Sequence, residues 1–266
     1  MAVLASQRSI AREQYVTHFG KLYGYTEERI NKIPKRKKMW LSTPIIETMN
    51  RIYNDILSTN NPYYKFELCE LDRLEQARYI TSNLLSLQKP LLSLWNIEDY
   101  KEKSMVAWIE MINEEIYYLG LYGGAKPRKG KNYMFILDKK AINKMDFLKN
   151  MCELQKYIYT RVVSSSTSCK EMRGRFLIDL ADEAMYRVMK ANSRYQKTKA
   201  DYEERKKNLS IAMNCLNKMQ PMMLSFFQIM DYSNSIMKEW CELFDKEMLL
   251  LSKVMKSDKE RFKNLK

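Results

Sequence analysis

A chain of 266 residues carries one histidine, His18. Metal centres of the ferritin-like kind take Glu-x-x-His ligands from more than one helix, so a single imidazole excludes them on ligand count. Glycine (7) and proline (6) are scarce as well, which counts against a turn-rich β fold and favours long helices. No run of about 20 apolar residues is present to span a membrane. The opening MAVLASQRSIAREQ lacks the long apolar core of a secretory signal. The five cysteines, Cys69, Cys152, Cys169, Cys215 and Cys241, form no CxxC motif and no cluster with histidine. They read as reduced thiols that mostly fill core in a cytoplasmic protein. Catalytic signatures are missing too. The run GGAKPRKGK has neither the spacing nor the flanking strand of a phosphate-binding loop, and one histidine leaves no credible Ser-His or Cys-His arrangement. Glu114 and Glu115 are adjacent, so on a helix they point about 100° apart and make no ready acid–base pair. The expectation is a non-enzyme with no metal and no cofactor.

What the sequence does contain is a repeat. Leu71–Ile116 and Glu203–Met248 align without a gap at an offset of 132 positions, that of Trp108 and Trp240. Arg73 falls on Arg205, Leu84 on Leu216, Gln88 on Gln220, Leu92 on Leu224, Tyr100 on Tyr232 and Glu115 on Glu247. The register extends upstream, where Leu22, Tyr25 and Arg29 meet Leu154, Tyr157 and Arg161, and Lys38 meets Lys170. One offset held over that distance indicates a tandem duplication of one supersecondary unit. Hydrophobic residues make up 45%, enough for packed cores.

Apolar spacing places the helices. Tyr15, Phe19, Leu22, Tyr25 and Arg29 advance by three or four, with Ile30 beside Arg29, and give one face of a first helix over 8–33, which Pro34 ends or kinks. A second helix is expected over 42–59, capped by Ser42 or Thr43, with Pro44 in its first turn. It buries Ile45, Met49, Ile52, Tyr53 and Ile56, and Asn60 closes it. Ala77, Ile80, Leu84, Leu87, Leu91 and Leu94 step by three and four along a third helix over 66–95. Pro90, and Pro221 in the second copy, are expected to kink or break that helix. Asp99 and Asp231 are expected to cap a fourth, which turns Trp108 and Trp240 inward. Gly120, Gly123, Gly124 and Gly130 mark the boundary between copies. The expected fold is all-α: two tandem antiparallel four-helix bundles, over 1–122 and 139–266, joined by a basic glycine-containing linker over 123–138.

This order of signals resembles a family of small four-helix-bundle proteins. It includes the accessory variability determinant of diversity-generating retroelements and the proteins encoded within intervening sequences of ribosomal-RNA genes. The matching features are the proline-basic turn IPKRKKMWLSTPI, the Asn-closed second helix (LSTNN and MKANS), and a long third helix with Arg and alternating Leu. The fourth helix, IEMINEEIYYLGLYGG, adds a central aromatic near an acidic pair and a terminal glycine region. The resemblance implies a non-enzymatic basic bundle that assembles with a reverse transcriptase and its template RNA during mutagenic cDNA synthesis. It also implies an oligomer of bundles. Family members of single-bundle size form pentameric barrels, and two fused bundles cannot fill five places with whole chains.

The formal charge of +14 points to a polyanionic partner, nucleic acid or an anionic surface. The candidate phosphate contacts are Lys35, Arg36, Lys37 and Lys38 in the first turn, and Lys126, Arg128, Lys129 and Lys131 in the linker. Lys170, Arg173 and Arg175 stand before the second copy's second helix. Against any one of them stands the plain reading of a solvated lysine. Arg73 and Arg205 suit either a phosphate or a salt bridge. Tyr63 and Tyr195 suit either base stacking or a helix turn. A free-standing RNA-binding bundle, or a structural module whose charge only keeps it soluble, are the alternatives.

Overall fold

A computed structural model describes residues 5–59, 70–98, 100–125, 127–128, 130, 132–135, 139–193 and 196–263. The fold is all-α, with no strand among the described residues. The chain divides into two compact units, Met1–Ile136 and Leu137–Lys266.

The first unit contains α1 (Ala5–Asn31), α2 (Lys35–Thr59), α3 (Glu70–Ser86), α4 (Gln88–Ile97) and α5 (Glu102–Tyr122). α1 packs on α2 and α5, α2 on α3 and α4, and α3 on α5. The apolar stripes meet inside: Tyr15, Phe19 and Leu22 of α1, Ile45, Met49 and Ile52 of α2, and Ile80 and Leu84 of α3 are all buried. Tyr53 departs from the expected buried face. It follows Ile52 by one position, so it lies at the stripe's edge, exposed and against the rings of Phe19 and Tyr23. α2 also starts earlier than expected. The Pro34 carbonyl accepts from the N–H groups of Lys37 (2.9 Å) and Lys38 (3.0 Å), which builds the first turn directly after the proline. Ser42 is therefore a buried interior residue and not a cap, and Pro44 lies inside the helix.

The chain after α5 is stitched back onto this unit. Asn113 Oδ1 accepts the backbone N–H groups of Tyr133 (2.9 Å) and Met134 (3.0 Å). Gln88 donates to the Phe135 carbonyl (2.6 Å) and accepts from its N–H (3.2 Å). Two side-chain amides thus satisfy the backbone groups of this bent segment. Met134 is buried, and Gln88, Leu91, Leu92 and Ser93 of α4 are covered as well.

The second unit contains α6 (Lys139–Asn143), α7 (Asp146–Ser164), α8 (Thr167–Cys169), a π-helical turn (Lys170–Gly174), α9 (Arg175–Asn192), α10 (Lys199–Met230) and α11 (Asn234–Arg261). α7 packs on α9 and α11, and α10 on α9 and α11. At Gly174 a Cβ would run into Val162, so the absent side chain lets the π turn lie against α7. Thr198 and Asp201 form a reciprocal capping box at the start of α10.

The two internal prolines behave differently. In the first unit the third helix breaks at Leu87, which leaves Pro90 in the first turn of α4, where a missing N–H costs little. In the second unit α10 runs unbroken past Pro221, so a break in both copies is not what occurs. Pro221 and Asn217 are both solvent-exposed, so water can reach the carbonyl that the proline leaves unbonded. Asp231 is not the cap of the following helix. It closes α10 in the left-handed region (φ 48°, ψ 44°), which a short polar side chain tolerates, and Ser233 precedes α11 instead. Asp99 and Asn60 lie outside the described residues.

Several polar contacts recur at the same offset. Tyr25 donates to the Ser104 carbonyl (3.0 Å) and Tyr157 to that of Ile236 (2.6 Å). Tyr100 donates to the Arg29 carbonyl (2.6 Å) and Tyr232 to that of Arg161 (3.2 Å). The Arg29 and Arg161 guanidinium groups lie over the Tyr25 and Tyr157 rings, at 4.6 and 4.8 Å. Trp108 and Trp240 are both buried, but only Trp108 has a partner for its indole N–H: Thr26 Oγ1 at 3.0 Å. Position 158, which matches Thr26, is an isoleucine. Trp108→Phe is therefore expected to cost about 1 kcal/mol more than Trp240→Phe, measured by urea denaturation of the two variants.

Candidate nucleic-acid interface

Four cationic residues open α2, with no acidic residue in its first turn. Cations at a helix N-terminus add to the positive end of the macrodipole, so this end of α2 gains from a bound anion. Lys35 and Arg36 are exposed. Lys37 pairs with Glu98 at 2.8 Å, and Lys38 donates to Asn31 Oδ1 at 2.9 Å. The cluster thus divides into an outer pair facing water and an inner pair tied to the fold. Of the linker residues Arg128 is exposed, while Lys126, Lys129 and Lys131 lie outside the described residues, as do Tyr63 and Tyr195.

In the second unit Lys170 and Arg173 lie within the π turn and Arg175 opens α9. Arg175 is exposed, Lys170 is half-buried, and Arg173 donates to Ser225. Arg205 is engaged inside its own unit. Its Nε meets Asp258 Oδ2 at 2.6 Å, and one terminal nitrogen donates to the Ala191 carbonyl and to Asn192 Oδ1, both at 2.7 Å. A guanidinium at the carbonyl end of α9 complements that helix's negative pole. Of the two readings open for Arg205 the salt bridge is the one observed, with its acid supplied by α11. Arg205, Asp258 and Asn192 line a recess of about 440 Å³ together with Phe147, Ser193 and Val254.

The most unusual chemistry is buried. Glu115 and Glu247 are both fully inaccessible. Glu115 accepts from His18 Nδ1 at 2.8 Å, and the other ring nitrogen of His18 meets Glu114 at 3.1 Å. The adjacent glutamates are joined through the histidine, an arrangement that their divergent directions on α5 did not suggest. In the second unit Asn150 stands where His18 does and donates to Glu247 Oε2 at 2.9 Å. Burial raises the Glu115 carboxyl to about 7, with His18 pulling the other way. Burial likewise raises Glu247 to about 8, against the Asn150 hydrogen bond. His18 is also raised: burial disfavours its charged ring, but Glu115 and Glu114 outweigh that. Glu247 Oε1 and Asn150 Oδ1 are both buried without a partner. Two acceptor oxygens buried without a donor favour the protonated, neutral carboxyl at Glu247. A sequence signal for this pair exists: polar residues recur at 18 and 150, and at 115 and 247, inside otherwise apolar stripes.

Burial pushes the Cys152 thiol up to about 12, so it is a packing residue and not a nucleophile. No helix among the described residues is long and apolar enough to cross a membrane. No group of three or more metal-ligating side chains occurs among them. Comparison of the chain with protein-family models, with curated proteins and with solved structures returned no match.

Proposed function

We propose that the protein is a duplicated pair of four-helix bundles. In this reading it acts as a non-catalytic, basic accessory subunit that binds RNA and a reverse transcriptase and supports template-directed, mutagenic cDNA synthesis. The observation that carries the RNA part is the open basic end of α2. There Lys35 and Arg36 are exposed, whereas Lys37 pairs with Glu98 and Lys38 donates to Asn31, on a chain of net charge +14. The recurrence of the tyrosine and arginine contacts at one offset supports the duplication. The polymerase partner rests on the family resemblance.

In this mechanism the bundles do no chemistry. They hold a rigid positive surface against which RNA is positioned, with affinity gained largely from counterions released by lysine and arginine. Binding of structured RNA is expected to weaken steeply with salt. Replacing Lys35 and Arg36 together with alanine is expected to lower the log–log salt slope by about 1 to 2 and the affinity by about tenfold near 0.1 M salt. Lys37→Ala, which removes a charge already paired with Glu98, is expected to change affinity less. Gel-shift titration across salt concentrations measures all three. Absence of an RNA complex at low salt contradicts the reading. An RNA complex with no reverse transcriptase co-purifying from cells points instead to the intervening-sequence type of protein.

A further inference from the structure

The recess of about 440 Å³ in the second unit is lined by a stretch of helix that the first unit lacks. α5 ends at Tyr122, whose counterpart at the offset of 132 is Val254, whereas α11 runs on to Arg261. Val254, Ser257, Asp258 and Arg261 are spaced as one face of that extension, and all four line the recess. Met145 and Phe147, at the start of α7, join Val254 as its apolar side. Arg205 enters from α10 with its side chain about 10% exposed. Three of its five N–H groups are used inside the unit: Nε on Asp258, and one terminal nitrogen on the Ala191 carbonyl and Asn192 Oδ1. The other terminal nitrogen has no partner among the described residues, and solvent reaches it. Two N–H donors on a guanidinium nine-tenths buried are thus left for a group from outside. Arg261 adds a second guanidinium. It is exposed, lies over the Phe262 ring at 5.2 Å, and makes no ion pair among the described residues.

We propose that this recess binds a small organic carboxylate with a compact apolar body. The carboxylate accepts from the unused terminal nitrogen of Arg205 and from Arg261, planar donors that suit a planar two-oxygen acceptor. The apolar body lies against Met145, Phe147 and Val254. The volume falls within the range of small-molecule sites, about 300–1,000 Å³. Charge selects the head group. Asp258 is matched by Arg205 at 2.6 Å, so the lining keeps one net positive charge, that of Arg261. A carboxylate brings one negative charge. A phosphate monoester brings nearly two at neutral pH, and the second would stand unmatched beside Asp258. Neither the duplication nor RNA binding is needed for this site.

Phenylacetate, phenyl phosphate and phenethylammonium share a ring and differ in charge. Each is titrated into the full chain while the methyl resonances of Met145 and Val254 are followed by NMR. Phenylacetate is expected to shift both saturably, with a Kd on the order of 1 mM, as suits a ligand of this size. Phenyl phosphate is expected to bind at least fivefold more weakly, and phenethylammonium not at all. Arg261→Ala is expected to weaken phenylacetate at least fivefold. Val254→Glu, which sets another carboxylate in the recess, is expected to abolish its binding, read there from Met145 alone. Arg261 is exposed and Val254 half-exposed, so both variants are expected to fold, which circular dichroism checks. The selectivity among the three probes is read on the unaltered chain and stands whether or not a variant folds. No saturable shift at ten times the expected Kd overturns the proposal. So does equal or tighter binding of phenyl phosphate, or unchanged phenylacetate affinity in either folded variant.

Discussion

Replacing Glu247 with glutamine is expected to stabilise the protein by about 3–4 kcal/mol at pH 8 and to change little at pH 4.5. The folded-state carboxyl titrates at about 8 against an ordinary value of 4.5, chiefly because it is buried. A raised carboxyl binds its proton more tightly in the folded chain. As pH climbs from 4.5 to 8 the unfolded chain releases that proton while the folded chain retains it. Stability falls by about 1.4 kcal/mol per pH unit across that window and levels off above it. Glutamine stays neutral at every pH and can still accept from Asn150. Glu115 acts in the same direction between 4.5 and about 7. The raised His18 adds a contribution that is complete below 6.5 and lost as pH rises through its folded value. Wild-type protein is therefore expected to be more stable at pH 5.5 than at pH 8.5. Thermal unfolding of both proteins across that range checks the sign, and a glutamine variant no more stable at pH 8 contradicts the buried acid–amide pair.

Arg205→Ala is expected to destabilise the second unit by about 3–5 kcal/mol, because it leaves Asp258 charged and unpaired in a site where both side chains are about 10% exposed. The loss also frees the Ala191 carbonyl at the end of α9 and the Asn192 side chain. Removing both charges in Arg205→Met, Asp258→Leu is expected to recover most of the stability, as apolar pairs of similar volume commonly do. RNA affinity is expected to change less than twofold in either variant at temperatures where it stays folded. Urea denaturation and gel-shift titration separate the two effects. A stable Arg205→Ala variant that loses RNA affinity selects the phosphate reading.

The periodic parts of the sequence were the legible parts. Ala77, Ile80, Leu84, Leu87, Leu91 and Leu94 advance at helical spacing, and each is buried, because a helix has one way to hide residues so spaced. Less legible was anything decided by a single local competition. Pro90 and Pro221 lie one register position apart, yet only the first copy breaks its helix. Asp231 is a good N-cap and also tolerates the left-handed conformation, and spacing alone could not say which use prevails. Ser42 read as a cap because polar residues often are, but the Pro34 carbonyl had already started the helix. At the candidate interface the sequence marked the basic cluster without separating Lys35 and Arg36 from the engaged Lys37 and Lys38, because their partners Glu98 and Asn31 become neighbours only on folding. The His18–Glu115 contact spans 97 positions and depends on α1 packing against α5.

Ultraviolet crosslinking in cells, with sequencing of the bound RNA and mass spectrometry of the crosslinked peptides and co-recovered proteins, tests the functional account most directly. The account predicts a retroelement template RNA attached at peptides containing Lys35–Lys38 or Arg175, recovered with a reverse transcriptase. Recovery of the protein with no RNA above background, or with RNA attached away from every basic cluster, contradicts it.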